Sequence, residues 1–342
     1  MKFHLLAVRP VQAVYYREFG DADVLEIGAR PVPVPGPDQV LVKVAAAGVN
    51  PIDRRLRAGE LERFFKRTWP IVPGWDFAGT IASVGAEVGG WQPGDEVLGL
   101  AFSWALGAGT YAEYVPVAAG AIAARPAELD VFEAAAIPLV SLTAWQALVE
   151  FGRLARGQSV LIQAGAGGVG SIAIPIAKYL GARVYTTASA RNLDYVRRLG
   201  ADIAIDHMSE NYIQVVGLHE PEGLHLVLES LEDETAIRAA PTLVRDGGAV
   251  VYLNNEPPDL PDFRERQIRS EFLHHRADGA MLAEIVTLIA RGALPRPTVE
   301  VLPLEEAAEA HRRLASWRTV GKLVLDVTGG EGTPASGTGT VR

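Results

Sequence analysis

Residues 159–192, SVLIQAGAGGVGSIAIPIAKYLGARVYTTASARN, constrain the fold more than any other stretch. An apolar run leads directly into Gly165, Gly167 and Gly170, spaced Gly-x-Gly-x-x-Gly. Alone, that spacing fits any glycine-rich turn, and a chain with 35 glycines supplies such turns freely. The flanks change its weight. Val169, Ile172, Ala173, Ile176 and Leu180 recur along one face of a helix. A second strand, RVYTTAS, follows and completes a strand–helix–strand unit. In such a unit Gly165 permits the tight turn, Gly167 lets a pyrophosphate approach the backbone, and Gly170 lets helix pack on strand. Ala166, Gly168 and Val169 complete the loop, and the N–H groups opening the helix face the phosphates. The segment predicts a dinucleotide cradle. Pro175 removes one helical hydrogen bond and predicts a bend.

The end of the second strand bears on which dinucleotide is held. A bare ribose 2′-hydroxyl is usually held by an acid about 20 residues past the loop. Here that place reads TTASARN, and the first acid is Asp194. Ser189 offers a hydroxyl, Arg191 a planar cation suited to phosphate, and Asn192 a neighbouring amide. A 2′-phosphate fits better, so NADPH is expected over NADH. The bland alternative is that Arg191 is an ordinary solvated charge.

A chain of 342 residues predicts two domains. The N-terminal third is β-rich: residues 38–50, 77–85 and 95–102 alternate or run apolar between Gly and Pro breakers, as in a small barrel or folded sheet. Near residue 127 the texture changes to Ala- and Leu-rich helix, interrupted at Pro138. Strands and helices then alternate, which implies a parallel sheet. Residues 278–294 and 303–317 read as helices and 321–327 as a last strand, while 329–342 has little to bury and is expected to be disordered.

Net charge is −9, which argues against nucleic acid or an acidic membrane as partner. There is no cysteine, so disulfides, thiolate nucleophiles and cysteine-held zinc are excluded. No apolar run approaches the ~20 residues that span a bilayer, and the start lacks a signal-peptide pattern, so a cytoplasmic protein is expected.

The stretches AAGVNPIDRRLRAG (46–59), PIVPGWDFAGTIASVGAEVGGWQPGDEVLG (70–99), GTYAEYVPV (109–117), EAAAIPLVSLTAWQAL (133–148), LGADIAIDH (199–207) and PLEEAAEAHRRLASWRTVGKLVLDV (303–327), with the glycine loop, resemble the medium-chain dehydrogenase/reductase superfamily. The likeness is to its zinc-independent, quinone oxidoreductase-like branch and covers roughly residues 10–327. It implies an α/β chain with a GroES-like β-barrel catalytic domain (1–126 and 278–328) and a Rossmann doubly wound parallel-sheet domain (127–277), paired as a homodimer through the edge segment 268–275. Zinc enzymes of this superfamily carry cysteine where this chain has Asn50 and His-Glu where it has Trp75-Asp76. No metal is therefore expected, and His274 and His275, read as neighbours on a strand, would point to opposite faces.

Without a Lewis acid for an alkoxide, the expected substrates are quinones or alkenes conjugated to a carbonyl, which delocalise the charge they gain. The resemblance places Asn50 beside the nicotinamide, Thr143 under its ring or ribose, and Tyr111 as a conceivable proton donor. It places His207 at the adenosine end, the backbone of Leu253 and Asn254 near the carboxamide, and Lys322 within reach of the cofactor. Plainer readings stand beside these: a turn residue for Asn50, a backbone-bonded helix hydroxyl for Thr143, packing for Tyr111, surface positions for His207 and Lys322. Residues 60–69, ELERFFKRTW, either roof an apolar pocket with cations for an anionic carrier or form a turn covering the barrel. Two rival functions remain open: an enoyl-thioester reductase and a non-catalytic NADPH-binding protein.

Overall fold

In a computed structural model, residues 10–329 are described, and the tail expected to be disordered lies, from residue 330 onward, outside the described residues. The chain divides into two compact units. Within the described residues the first takes 10–136, 299–318 and 323–329, and the second 137–298 with 319–322. The boundaries expected near 126 and 278 therefore shift. Helix Gly279–Ala290 belongs to the second unit, where it packs on helix Pro138–Trp145 and buries Leu282, Ile285, Val286 and Ile289. An apolar stripe announces that a helix needs a partner but does not name it.

Among the described residues, the main sheet of the first unit has seven strands. Gln39–Val49 is its spine, with Val40, Val42, Val44 and Ala46 buried at the two-residue period of a strand. Its first half pairs antiparallel with Tyr114–Ala118 and its second half with Lys322–Asp326. Along Asp76–Val84 its register shifts between Leu41 and Val42 and between Val44 and Ala46. Such bulges bend a strand and let one spine serve three partners. The pair Val11–Tyr15 and Glu26–Arg30 was not foreseen, because EIGAR is largely exposed and lacks alternation.

The second unit holds a six-stranded, all-parallel sheet. Its order is Ile203–Asp206, Arg183–Ala188, Ser159–Ile162, Leu224–Glu229, Val244–Tyr252, Arg269–Phe272. The winding reverses between Ser159–Ile162 and Leu224–Glu229, the switch point at which such sheets bind ligands. The glycine-loop helix, Gly168–Tyr179, runs through Pro175 without interruption. Helix Tyr212–His219 went unread; its signal was Asn211, whose side chain accepts from Ile213 N and Gln214 N. Arg269–Phe272 is the outer strand and ends before His274 and His275, so those two histidines lie beyond the strand expected to carry them.

Candidate active site

The glycine loop joins Ser159–Ile162 to the helix opening at Gly168. Gly165 N donates to Thr187 O at 2.9 Å and Ala164 N to Thr187 Oγ1 at 3.1 Å, which pins the loop to the neighbouring strand. A Cβ on Gly165 would stand 2.0 Å from Thr186 Oγ1, and one on Gly170 would stand 2.5 Å from Ala164 O. Both glycines are demanded by the chain's own packing. Gly167 differs: a Cβ there would meet only Ala164 O, at 3.3 Å. Its bareness serves what lies outside the loop, as a phosphate needing close backbone approach requires. Gly168 is approached by Lys322, whose Cδ would lie 3.2 Å from an added Cβ. Gly321 N donates to Ala166 O at 2.9 Å. The returning segment 319–322 thus seats Lys322 on the loop, with Val169 one residue on in the helix.

At the far end of the second strand, Ser189 leads a short turn, Ala190–Asn192, with Arg191 exposed. Asp206, ending the next strand, accepts from Ser209 Oγ at 2.7 Å and from Met208 N at 3.2 Å. Those bonds, with one from the Ala190 backbone, hold its carboxyl below the usual range. His207 follows, exposed, its N–H on Ala188 O. Ser189, Arg191, Asn192 and His207 therefore gather at one end of the sheet.

Thr143 lies on helix Pro138–Trp145, which packs on the glycine-loop helix. Its hydroxyl is buried and has no hydrogen-bond partner among the described residues, so it does not bond its own helix backbone. A buried hydroxyl left unmatched fits a ligand group supplied from outside. Leu253 N donates to Glu229 O at 3.0 Å and Asn254 Nδ2 to Ser230 O at 2.6 Å, tying the ends of two central strands together. Glu229 was missed, though an acid closing the apolar run LHLVLE was its signal. It is fully buried, Oε1 accepts from Leu231 N at 2.8 Å, and burial, aided by Asp233, pushes its pKa up to about 7.

In the first unit Asn50 is fully buried and caps helix Pro51–Arg57. Its Nδ2 donates to Asp76 Oδ2 and its N–H to Asp53 Oδ2, each at 2.8 Å. Tyr111 also donates to Asp53 Oδ2, at 3.2 Å. Arg57 can only donate, so His311 Nδ1, 3.4 Å away, accepts. His311 Nε2 then carries the proton and donates to Tyr111 Oη at 3.3 Å. The result is a directed chain, Arg57 to His311 to Tyr111 to Asp53. Burial drives Tyr111 well above its ordinary pKa, and burial beside Arg57 lowers His311 to about 3. Tyr111 is thus turned inward as a link in this network. Arg57 and His311 stand 254 positions apart, and nothing in the sequence joined them.

These residues do not suit zinc. Asn50 and Asp76 are bonded to each other, and among the described residues no group of three or more His, Cys, Asp or Glu side chains is placed to hold a metal. The cradle does suit a dinucleotide, through the bare Gly167, the helix start and the unmatched Thr143 hydroxyl. No helix among the described residues is long and apolar enough to cross a membrane.

Two family models match: an alcohol dehydrogenase GroES-like domain over residues 36–127 and a zinc-binding dehydrogenase over 199–325. A 2-methylene-furan-3-one reductase from Solanum lycopersicum is 33% identical over 329 residues, 92% of this chain and 79% of that one. An NADPH-dependent alkenal/one oxidoreductase of Arabidopsis thaliana is 33% identical over 93% of this chain and 80% of its own. The quinone oxidoreductase from Coxiella burnetii superposes with a TM-score of 0.83 at 29% identity, covering 93% of this chain and 99% of that one. With its glycine cradle and its barrel-forming spine, the chain belongs to the medium-chain dehydrogenase/reductase superfamily, in its quinone oxidoreductase branch.

Proposed function

We propose that the chain is an NADPH-dependent reductase of quinones or of alkenes conjugated to a carbonyl. The observation that carries this is identity of 33% with reductases of activated alkenes over more than nine-tenths of the chain. When bound, the reduced nicotinamide supplies the hydride. Gly165 to Gly170 hold the pyrophosphate, Ser189, Arg191 and Asn192 the 2′-phosphate, and His207 flanks the adenosine end. Lys322, Leu253, Asn254 and Thr143 serve the nicotinamide end. Asn50 offers its amide toward the substrate, and Tyr111 acts behind it as a positioning residue through Asp53. The reaction runs without zinc: such acceptors spread the charge they gain, and the donors present are unsuited to the metal.

A homodimer in the cytoplasm completes the reading. The open outer strand Arg269–Phe272 supports pairing, since an exposed edge is a template for another strand. The thioester alternative is not favoured by the cationic segment. Arg67 pairs with Glu62 at 3.7 Å and lies over Phe19, and Arg63 lies over Phe64.

The test is consumption of NADPH and of NADH with 1,4-benzoquinone, a simple enone and an enoyl-CoA. Turnover of quinone or enone with NADPH above NADH upholds the reading. Preference for the thioester selects the alternative, and tight NADPH binding with no turnover selects a non-catalytic protein.

A further inference from the structure

Apart from the glycine loop and Asn50, the first unit carries an open hollow of about 610 Å³ lined by Phe64, Lys66, Phe102, Ser103, Trp104 and Ala105. Strand Lys66–Arg67 pairs in parallel with Ala105–Leu106, and Lys66 N donates to Trp104 O at 3.0 Å, so one clasp fixes both sides. Phe65 stacks on Trp104 with ring centres 5.3 Å apart at 29°. Phe102 meets Trp104 and Trp75 edge-on, each at 5.0 Å. Trp75 is buried and immediately precedes Asp76, the partner of Asn50. A run of touching rings therefore leads from the Asn50–Asp76 pair to the surface.

Phe64 and Trp104 nevertheless stay 52% and 56% exposed. Two large aromatics left half-open around one hollow mark a binding surface, because rings gain most by covering one another. The volume falls in the range of small-molecule sites. The exposed Lys66 adds an ammonium donor at the rim, with no carboxylate among the lining residues.

We propose that this hollow binds a planar, electron-poor ring bearing carbonyl oxygens, which is the chemistry of a quinone. The ring stacks on Trp104 and Phe64, and Lys66 Nζ donates to a carbonyl oxygen. The inference rests on the quinone or enone reading and narrows it: ring acceptors are preferred to acyclic enones, and Trp104 and Phe64 set that preference.

The experiment compares kcat/KM for 1,4-naphthoquinone and but-3-en-2-one in the wild type, Trp104→Ala, Phe64→Ala and Trp104→Phe, with calorimetry of naphthoquinone binding alongside. Each alanine variant is expected to lower the naphthoquinone-to-enone ratio about tenfold, worth ~1.4 kcal/mol, and Trp104→Phe to restore most of it. An equal loss for both acceptors, or no loss, overturns the proposal. If the wild type reduces neither acceptor, the activity reading fails by itself. Naphthoquinone binding that disappears in Trp104→Ala then still upholds the hollow, and binding that persists unchanged, or is not seen in the wild type, overturns it.

Discussion

Tyr111 Oη donates to Asp53 Oδ2 at 3.2 Å, joining residues 58 positions apart inside the first unit. Removing the hydroxyl takes a donor from a buried carboxylate and an acceptor from His311. Tyr111→Phe is expected to cost about 1–3 kcal/mol of stability, read by urea unfolding. Turnover should stay within a few-fold of wild type, because the phenol faces its two partners. A drop in kcat of a hundredfold or more with unchanged stability would instead make it a direct proton donor.

Glu229 makes a pH signature. Its folded pKa of about 7 lies above the ordinary 4.5. The folded state therefore favours the neutral acid, so the contribution is full below 4.5 and is lost as pH rises to about 7. Glu229→Gln should gain about 1–3 kcal/mol over wild type at pH 8, and much less at pH 4.5. Paired urea melts at the two values measure the difference.

The loop glycines should separate. Gly165→Ala drives a methyl onto Thr186 and is expected to lose about 1–3 kcal/mol of stability. Gly167→Ala meets little of the chain and should keep a near-native Tm. Its NADPH affinity should nonetheless fall at least about tenfold, ~1.4 kcal/mol, by calorimetry. Equal melting losses in both variants would contradict the assignment.

Arg191→Ala tests the cofactor's 2′-phosphate. NADPH affinity should fall about tenfold or more, in keeping with a charge-assisted bond of ~1.5–3 kcal/mol, and NADH affinity should hold. Parallel losses for the two cofactors would return Arg191 to a plain solvated charge.

Thr143→Val replaces a buried hydroxyl that has no partner among the described residues. The free protein should be unchanged or more stable, by up to ~1 kcal/mol, while NADPH binds more weakly. Tm with and without NADPH reads both halves at once.

The parallel-sheet unit was legible because its signals are local. Gly165 to Gly170 sit between an apolar strand and a 3.6-period helix, and that spacing carries its own geometry. Residues 38–50 were equally plain as a strand, but not its division between Tyr114–Ala118 and Lys322–Asp326, which depends on bulges and distant partners. The site divided the same way. Asn50-Pro51 with Asp53 reads as a helix start from four residues. The bond from Arg57 to His311 has no local trace, since burial alone brings the two together. Helix Gly279–Ala290 shows the middle case: its stripe was visible, and the surface it covers was not.

The bond from Gly321 N to Ala166 O bears on the order in which the protein is made. The glycine loop leaves the ribosome about halfway through synthesis, already holding its strand, its turn and its helix. It then waits for roughly another 150 residues before Gly321 and Lys322 arrive to seat against it. Full affinity for the dinucleotide is thus a property acquired late, by a chain already nearly finished.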